Sequence, residues 1–142
     1  MKEQNYKNHS RILPGYHYVI GLLILALTGG AIRNLIIGNR DNIYDASLLL
    51  LISIIIICLY FYSRGFALRA QDRAIRAEEN FRHFILTGKP LDPRLTMSQI
   101  IALRFASDTE FPSLAVEAVD KQLSNDSIKK QILNWRGDYY RV

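Results

Sequence analysis

Three histidines, His9, His17 and His83, are the residues of this chain best suited to hold a metal or haem iron. They stand far apart, and no HxxxH or CxxC spacing sets two such ligands on one helix face, so no metal site is expected. His17, expected at a helix end, is the best placed of the three. Glu78 and Glu79 resemble an acid/base pair. Adjacent helical residues point about 100° apart, so the two cannot flank one bond. They read instead as salt-bridged surface charges, and a catalytic pairing of either with Asp72 or Asp108 is not supported. Cys58, the lone cysteine, lies in an apolar run and reads as a small packing residue. No GxGxxG, no Walker-type GxxxxGK and no other Gly-rich phosphate loop occurs. The RGD tripeptide at Arg136 to Asp138 signals adhesion only outside a cell, and it falls in a segment read below as cytoplasmic. No catalytic residue, cofactor or metal is therefore assigned, and the reading is of a non-catalytic protein.

The elements that carry these residues are unusual. Ile12 to Ile32 and Ala46 to Ser63 contain no Asp, Glu, Lys or Arg. A helix over the first reaches about 32 Å, against a bilayer hydrocarbon core of roughly 30 Å. Ile43 and Tyr44 extend the second outward past Asp45. A cleaved signal peptide fits the first run poorly, because the apolar segment is too long and a second follows at once. The expected fold is all-α: a two-helix transmembrane hairpin, with the second span continuing into a long amphipathic cytoplasmic helix and a small bundle of three short helices. In residue numbers, 1–11 form a leader, 12–37 and 44–63 the spans, 38–43 an outer loop, 64–88 the charged helix and 89–142 the three-helix region.

Lysines and arginines near the span ends orient the hairpin. Lys2, Lys7 and Arg11 precede the first span, and Arg64, Arg69, Arg73 and Arg76 follow the second, whereas the connection has only Arg33 and Arg40. The positive-inside rule places both termini in the cytoplasm. Tyr16, His17, Tyr18, Tyr60 and Tyr62 suit the inner interfacial belt, and Tyr44 the outer one.

In the charged helix, Ala67, Ala70, Ala74, Ala77, Phe81 and Phe84 recur at alternating intervals of three and four, the spacing of a helix seam. The three short helices are expected to dock on it. Asp72–Arg76, Glu78–Arg82 and Glu79–His83 are spaced for pairing one turn apart. Joined to the second span, this helix makes a rod of about 67 Å, with a bend expected at Gly65. Gly88 as a C-terminal cap and Pro90 as a barrier end it. Capping boxes are expected at Thr96 with Gln99 and at Ser107 with Glu110, where Pro112 is tolerated in the first turn. A last helix from Ser124 is expected to set Ile128, Ile132, Trp135 and Tyr139 on one face.

A net charge of +5 raises nucleic-acid binding as a possibility. From residue 97 onward, however, Arg104, Lys121, Lys129, Lys130, Arg136 and Arg141 are balanced by Asp108, Glu110, Glu117, Asp120, Asp126 and Asp138. The surplus lies beside the bilayer, where anionic lipid accounts for it. No nucleic-acid partner is expected. Arg33 reads as an anchor at the outer end of the first span, able to snorkel to the interface. The alternative is a buried charge paired with a partner subunit, for which Gly29 and Gly30 before it offer room for a close helix neighbour.

Four blocks, QNYKNHSR at Gln4 to Arg11, ALRAQDRAIRAEENFRHFILTGKPLD at Ala67 to Asp92, IIALRFASD at Ile100 to Asp108 and NWRGDYYRV at Asn134 to Val142, are read together. In this order they resemble an uncharacterised family of small bacterial two-span membrane proteins, a domain of unknown function. Gly137 stands where the family pattern has alanine. The resemblance implies a bacterial inner-membrane protein with a cytoplasmic helical tail, and it brings no activity or cofactor.

The expected function is an interaction, scaffold or accessory subunit that presents a cytoplasmic helical platform to other inner-membrane proteins or to copies of itself. A small membrane-surface enzyme or carrier subunit binding an anionic lipid head group is the alternative. The candidate partner or lipid contacts are Arg33, Arg64, Arg69, Asp72, Arg73, Arg76, Glu79, Arg82, Arg104, Trp135, Arg136 and Tyr139.

Overall fold

A computed structural model of the chain describes residues 4–6 and 12–138. It divides into two units, Arg11–Phe66 and a second formed by Met1–Ser10 with Ala67–Val142. The readings made above on Lys2, Lys7, His9, Arg11, Tyr139 and Arg141 lie outside the described residues. Among the described residues the regular structure is helical, and sheet-like pairing is confined to one isolated antiparallel bridge, Ala106 to Trp135.

In the first unit, a π-helical segment Gly15–Ile20 runs into helix α1, Gly21–Ile37. A single 3-10 turn, Arg40–Asn42, leads to helix α2, Ile43–Thr87, which contributes to both units. Gly38 ends α1. A Cβ there would lie 2.4 Å from the Asn34 carbonyl oxygen, so no side chain fits without moving backbone. The buried residues are small ones, Ala31, Ala46 and Ser53. Small side chains at such positions let helix backbones come close. The buried Ser53 hydroxyl donates to the Leu50 carbonyl of its own helix at 2.7 Å, which satisfies it. Aromatic residues clamp the other end. The Tyr16 and Tyr60 rings stack with centroids 4.5 Å apart, and each phenol donates to the other's backbone carbonyl. Within the chain, a Cβ at Gly29 or Gly30 would meet nothing within 4 Å. Ala31, one residue on, is the buried position.

The second unit holds α2 from Ala67 onward with three short helices: α3, Met97–Leu103; α4, Phe111–Asp120; and α5, Asn125–Gln131. Gly88, at φ +71°, closes α2 in the left-handed conformation that a glycine adopts without penalty, as its place in the sequence implies. α3 begins with the expected capping box, in which Thr96 and Gln99 bond each other's backbone amide. The same Gln99 reaches further. Its Nε2 donates to the carbonyls of Ala118 and Leu123, both at 3.0 Å, and so ties α3 to the end of α4. The core gathers Leu95, Ile100, Leu103, Phe105, Phe111, Leu114, Ala118, Ile128 and Ile132 with Ile75 from α2.

Three local expectations fail here. Ser107 does not build a capping box with Glu110: Glu110 is itself the N-cap of α4, with no side-chain cap bond. Its carboxylate is drawn away to Asn134, accepting from the side-chain amide at 2.8 Å and the backbone N–H at 3.1 Å. The last helix stops at Gln131, because Ile132 turns extended to enter the core. Trp135 therefore lies on no helical face. It is held by the bridge to Ala106, by the Arg136 N–H donated to the Phe105 carbonyl at 2.8 Å, and by the Phe105 ring 5.1 Å away.

The third concerns α2. Ala70, Ala74, Ala77, Phe81 and Phe84 are exposed, so the three helices do not dock on the alanine–phenylalanine stripe. The packed side carries Ile75 and Glu79, both buried, with Asp72, Arg82 and His83 partly buried. At about 100° per residue this is the opposite side of the helix. Alanines offer little apolar area, and the bonds made by Arg82 set the rotation of α2 instead.

Candidate functional site

Arg82 is the centre of the second unit's polar architecture. Its Nε donates to Asp108 Oδ1 at 2.7 Å, its Nη2 to the Ala106 carbonyl at 2.7 Å, and its Nη1 to Glu79 Oε2 at 2.9 Å. The guanidinium plane also lies over the Phe111 ring, 4.5 Å from its centroid, and His83 meets the same ring edge-on at 5.7 Å. One side chain of α2 thus holds residues 106–111, the connection from α3 to α4. A planar five-donor guanidinium does this where a lysine ammonium would not.

The expected one-turn pairs are replaced by this arrangement. Glu79, not Glu78, pairs with Arg82, and Arg76 donates to the Leu95 carbonyl at 3.3 Å rather than meeting Asp72. His83 Nδ1 lies 2.8 Å from the Lys89 carbonyl instead of pairing with Glu79. Tertiary acceptors fixed by the core outcompete solvent-exposed pairs worth only a few tenths of a kcal/mol each.

Glu79 is 6 % exposed, and burial raises its carboxyl above the ordinary range, opposed by Arg82 and, at 3.9 Å, by Arg136. Beside it opens a cleft of about 340 Å³ lined by Glu78, Glu79, Phe81, Arg82, Ile85, Leu86, Asp108 and Arg136. Three carboxylates face two guanidinium groups in this cleft, so it has no surplus positive charge to draw an anionic head group. Arg104 is 7 % exposed, pairs with Asp138 Oδ2 at 3.2 Å and covers the Phe105 ring at 4.7 Å. It is an interior residue of this unit rather than a surface contact.

The structure thus brings Glu79, Arg82 and Arg136 together, and joins Arg104 to Trp135 through Phe105. Arg33 is exposed and Arg64 partly buried in the first unit, while Arg69 and Arg73 are exposed and Asp72 is partly buried in the second. Tyr139 lies outside the described residues.

One contact had no signal in the sequence. Gln4 Nε2 donates to the Asp138 carbonyl at 3.1 Å, and the Asp138 N–H donates to Gln4 Oε1 at 2.8 Å. Tyr6 donates its hydroxyl to Asp126, and Lys130 sits 5.7 Å over the Tyr6 ring. Gln4 and Tyr6, in a stretch with no hydrophobic period, are therefore part of the same unit as residues 126–138. Only the side-chain amide of Gln4, able to donate and accept like a backbone, could have suggested it.

The whole chain, residues 1–142, matches the family of unknown function DUF6526, and it belongs to that family. Comparison with curated proteins and with solved structures gives no match.

Proposed function

We propose that this chain is a non-catalytic protein of the bacterial inner membrane, a two-span hairpin whose leader and C-terminal helices build one cytoplasmic platform for other membrane proteins. The observation that carries this reading is the pairing of Gln4 with Asp138. The segment before α1 and the segment after α2 belong to one packed unit, so two helices that cross a bilayer between them must go out and return. The positive-inside count of the sequence supports the cytoplasmic side for that unit. Two helices, Gly15–Ile37 and Arg40–Thr87, are long and apolar enough to cross a membrane. Only 6 % and 11 % of their apolar windows are buried, where a soluble core helix would be mostly buried. Leu22, Leu25, Ile36, Leu51 and Phe61 all point outward, a surface that water does not tolerate and lipid does. The exposed charges of Arg69, Arg73 and Glu78 leave α2 able to meet a partner next to the bilayer.

The test uses single cysteines in a Cys58→Ser background and a membrane-impermeant maleimide. Asn39→Cys, between the spans, should react in intact cells, and Ser113→Cys, in α4, only after the inner membrane is opened. Labelling of both from the same side, or release of the protein by alkaline carbonate, contradicts the proposal.

A further inference from the structure

The stripe that the short helices leave uncovered is itself patterned. Ala67, Ala74 and Phe81 fall at one heptad position, a, and Ala70, Ala77 and Phe84 at its companion, d. Phe81 is 65 % and Phe84 52 % exposed, and α2 turns its packed side, Ile75 and Glu79, away from them. A unit that presents two phenylalanines and a run of alanines on one helix face is built to meet another helix. Alanine at the seam permits a close approach, with axes about 8 Å apart at the short end of the usual range.

The charges beside the stripe choose the occupant. In the same heptad frame Arg73 takes position g and Glu78 the following e, five residues on. In a parallel two-stranded coil a g residue faces the e residue five positions later on its partner. A second copy in register therefore sets Arg73 against the other chain's Glu78, and Glu78 against the other chain's Arg73. An antiparallel pairing would set e against e and g against g, like charge against like. Both residues are exposed, and among the described residues neither enters the ion pairs of its own chain.

We propose that the Ala67–Phe84 face of α2 is the seam of a parallel homodimer, closed by two symmetric Arg73–Glu78 pairs. This deepens the platform reading by naming one partner, a second copy of the chain, and it takes from that reading the common orientation that anchoring imposes on both helices. The seam is about 27 Å long, short for a coil free in solution. Confinement of both copies to one membrane raises their effective concentration and offsets that shortness.

The full-length Cys58→Ser protein in phospholipid vesicles tests this with single cysteines on the exposed side of α2, where substitution does not touch the core. Under limiting oxidant, Ala77→Cys at d should form a disulfide dimer about tenfold faster than Arg69→Cys, which points off the seam. Arg73→Glu or Glu78→Arg added to Ala77→Cys should slow the reaction roughly tenfold, and the two together should restore it to within about threefold. Equal rates at Ala77→Cys and Arg69→Cys overturn the seam. So does a double charge exchange as slow as the single ones, or an adduct whose mass is not twice that of the chain. Carbonate extraction of the same vesicles separates the two claims. Protein that stays in the pellet but fails to cross-link sinks the seam alone, whereas protein that washes off yet cross-links through Ala77→Cys sinks the anchoring and leaves the seam.

Discussion

Replacement of Arg82 by methionine removes the guanidinium while keeping most of the apolar stem. Among the described residues the Glu79 carboxylate, with a side chain 8 % exposed, then retains Arg136 at 3.9 Å as its one ion-pair partner. Breaking one side of a buried pair in this way costs about 3–5 kcal/mol, because the remaining charge stays desolvated. The Asp108 contact adds little to that figure: its side chain is 65 % exposed, and exposed pairs contribute about 0–1 kcal/mol. The freed Ala106 carbonyl adds about 1–3 kcal/mol if water does not reach it. Arg82→Met should therefore lower the stability of this unit by about 3–5 kcal/mol where water reaches the Ala106 carbonyl and by about 4–8 kcal/mol where it does not. The double variant Glu79→Leu with Arg82→Met should recover most of the Glu79 share of the loss. The chain has one tryptophan, Trp135, and it packs against Phe105 within this unit. Its fluorescence during urea unfolding in mild detergent reports this unit without interference from the first. A loss below about 1 kcal/mol in Arg82→Met, or additive single effects in the double variant, would refute the reasoning, since contacting residues in one network must couple.

Burial holds the folded Glu79 carboxyl above its ordinary value of 4.5, so the folded state binds that proton more tightly than the unfolded one. Its contribution to stability is present below pH 4.5 and fades as pH rises through the raised value, and Glu79→Gln should flatten the urea midpoint over that window. Asp126 has the opposite sign: Lys130 first, then Tyr6, holds it below 3.8, so its contribution is present above that pH and is lost as acid protonates it, which Asp126→Asn should abolish. Gln122 ends α4 at φ +48°, and Gln122→Gly should stabilise by about 0.5–1 kcal/mol in the same assay, a result reversed only if its side chain makes a contact the left-handed cost does not outweigh. Gly38→Ala should destabilise the first unit by about 1–3 kcal/mol because its Cβ meets the Asn34 carbonyl, whereas Gly65→Ala, in open space within α2, should gain up to about 1 kcal/mol. Dodecyl sulfate titration followed by circular dichroism measures both, and equal effects would contradict the geometry.

What could be read from the sequence was what local physics decides. Uncharged runs imply two long apolar helices, Gly88 ends α2, and Thr96 with Gln99 opens α3. Each of these depends on residues within a turn or two of one another. The rotation of α2 did not follow, because its strongest apolar period is not its packed face. What turns it is an arginine whose acceptors, Ala106 and Asp108, lie 24 and 26 residues away in the chain. Ser107 and Glu110 carry the local pattern of a capping box, but Asn134, 24 residues on, takes the carboxylate. The leader was the least legible part, since Gln4 and Tyr6 have no period and are ordered by partners 134 and 120 residues distant.

Gln4 and Tyr6 share one body with residues 126–138, which makes any crossing by α1 and α2 a return trip. The most direct measurement is a cross-link between Gln4→Cys and Asp138→Cys, in a Cys58→Ser background, formed by a short bifunctional thiol reagent in native membranes. Joining within a single chain, at the mass of one copy and with both sites reached from the cytoplasmic face, is the predicted result. Two thiols that each react with a monofunctional reagent but never join, or that are reached from opposite faces of the membrane, would contradict it.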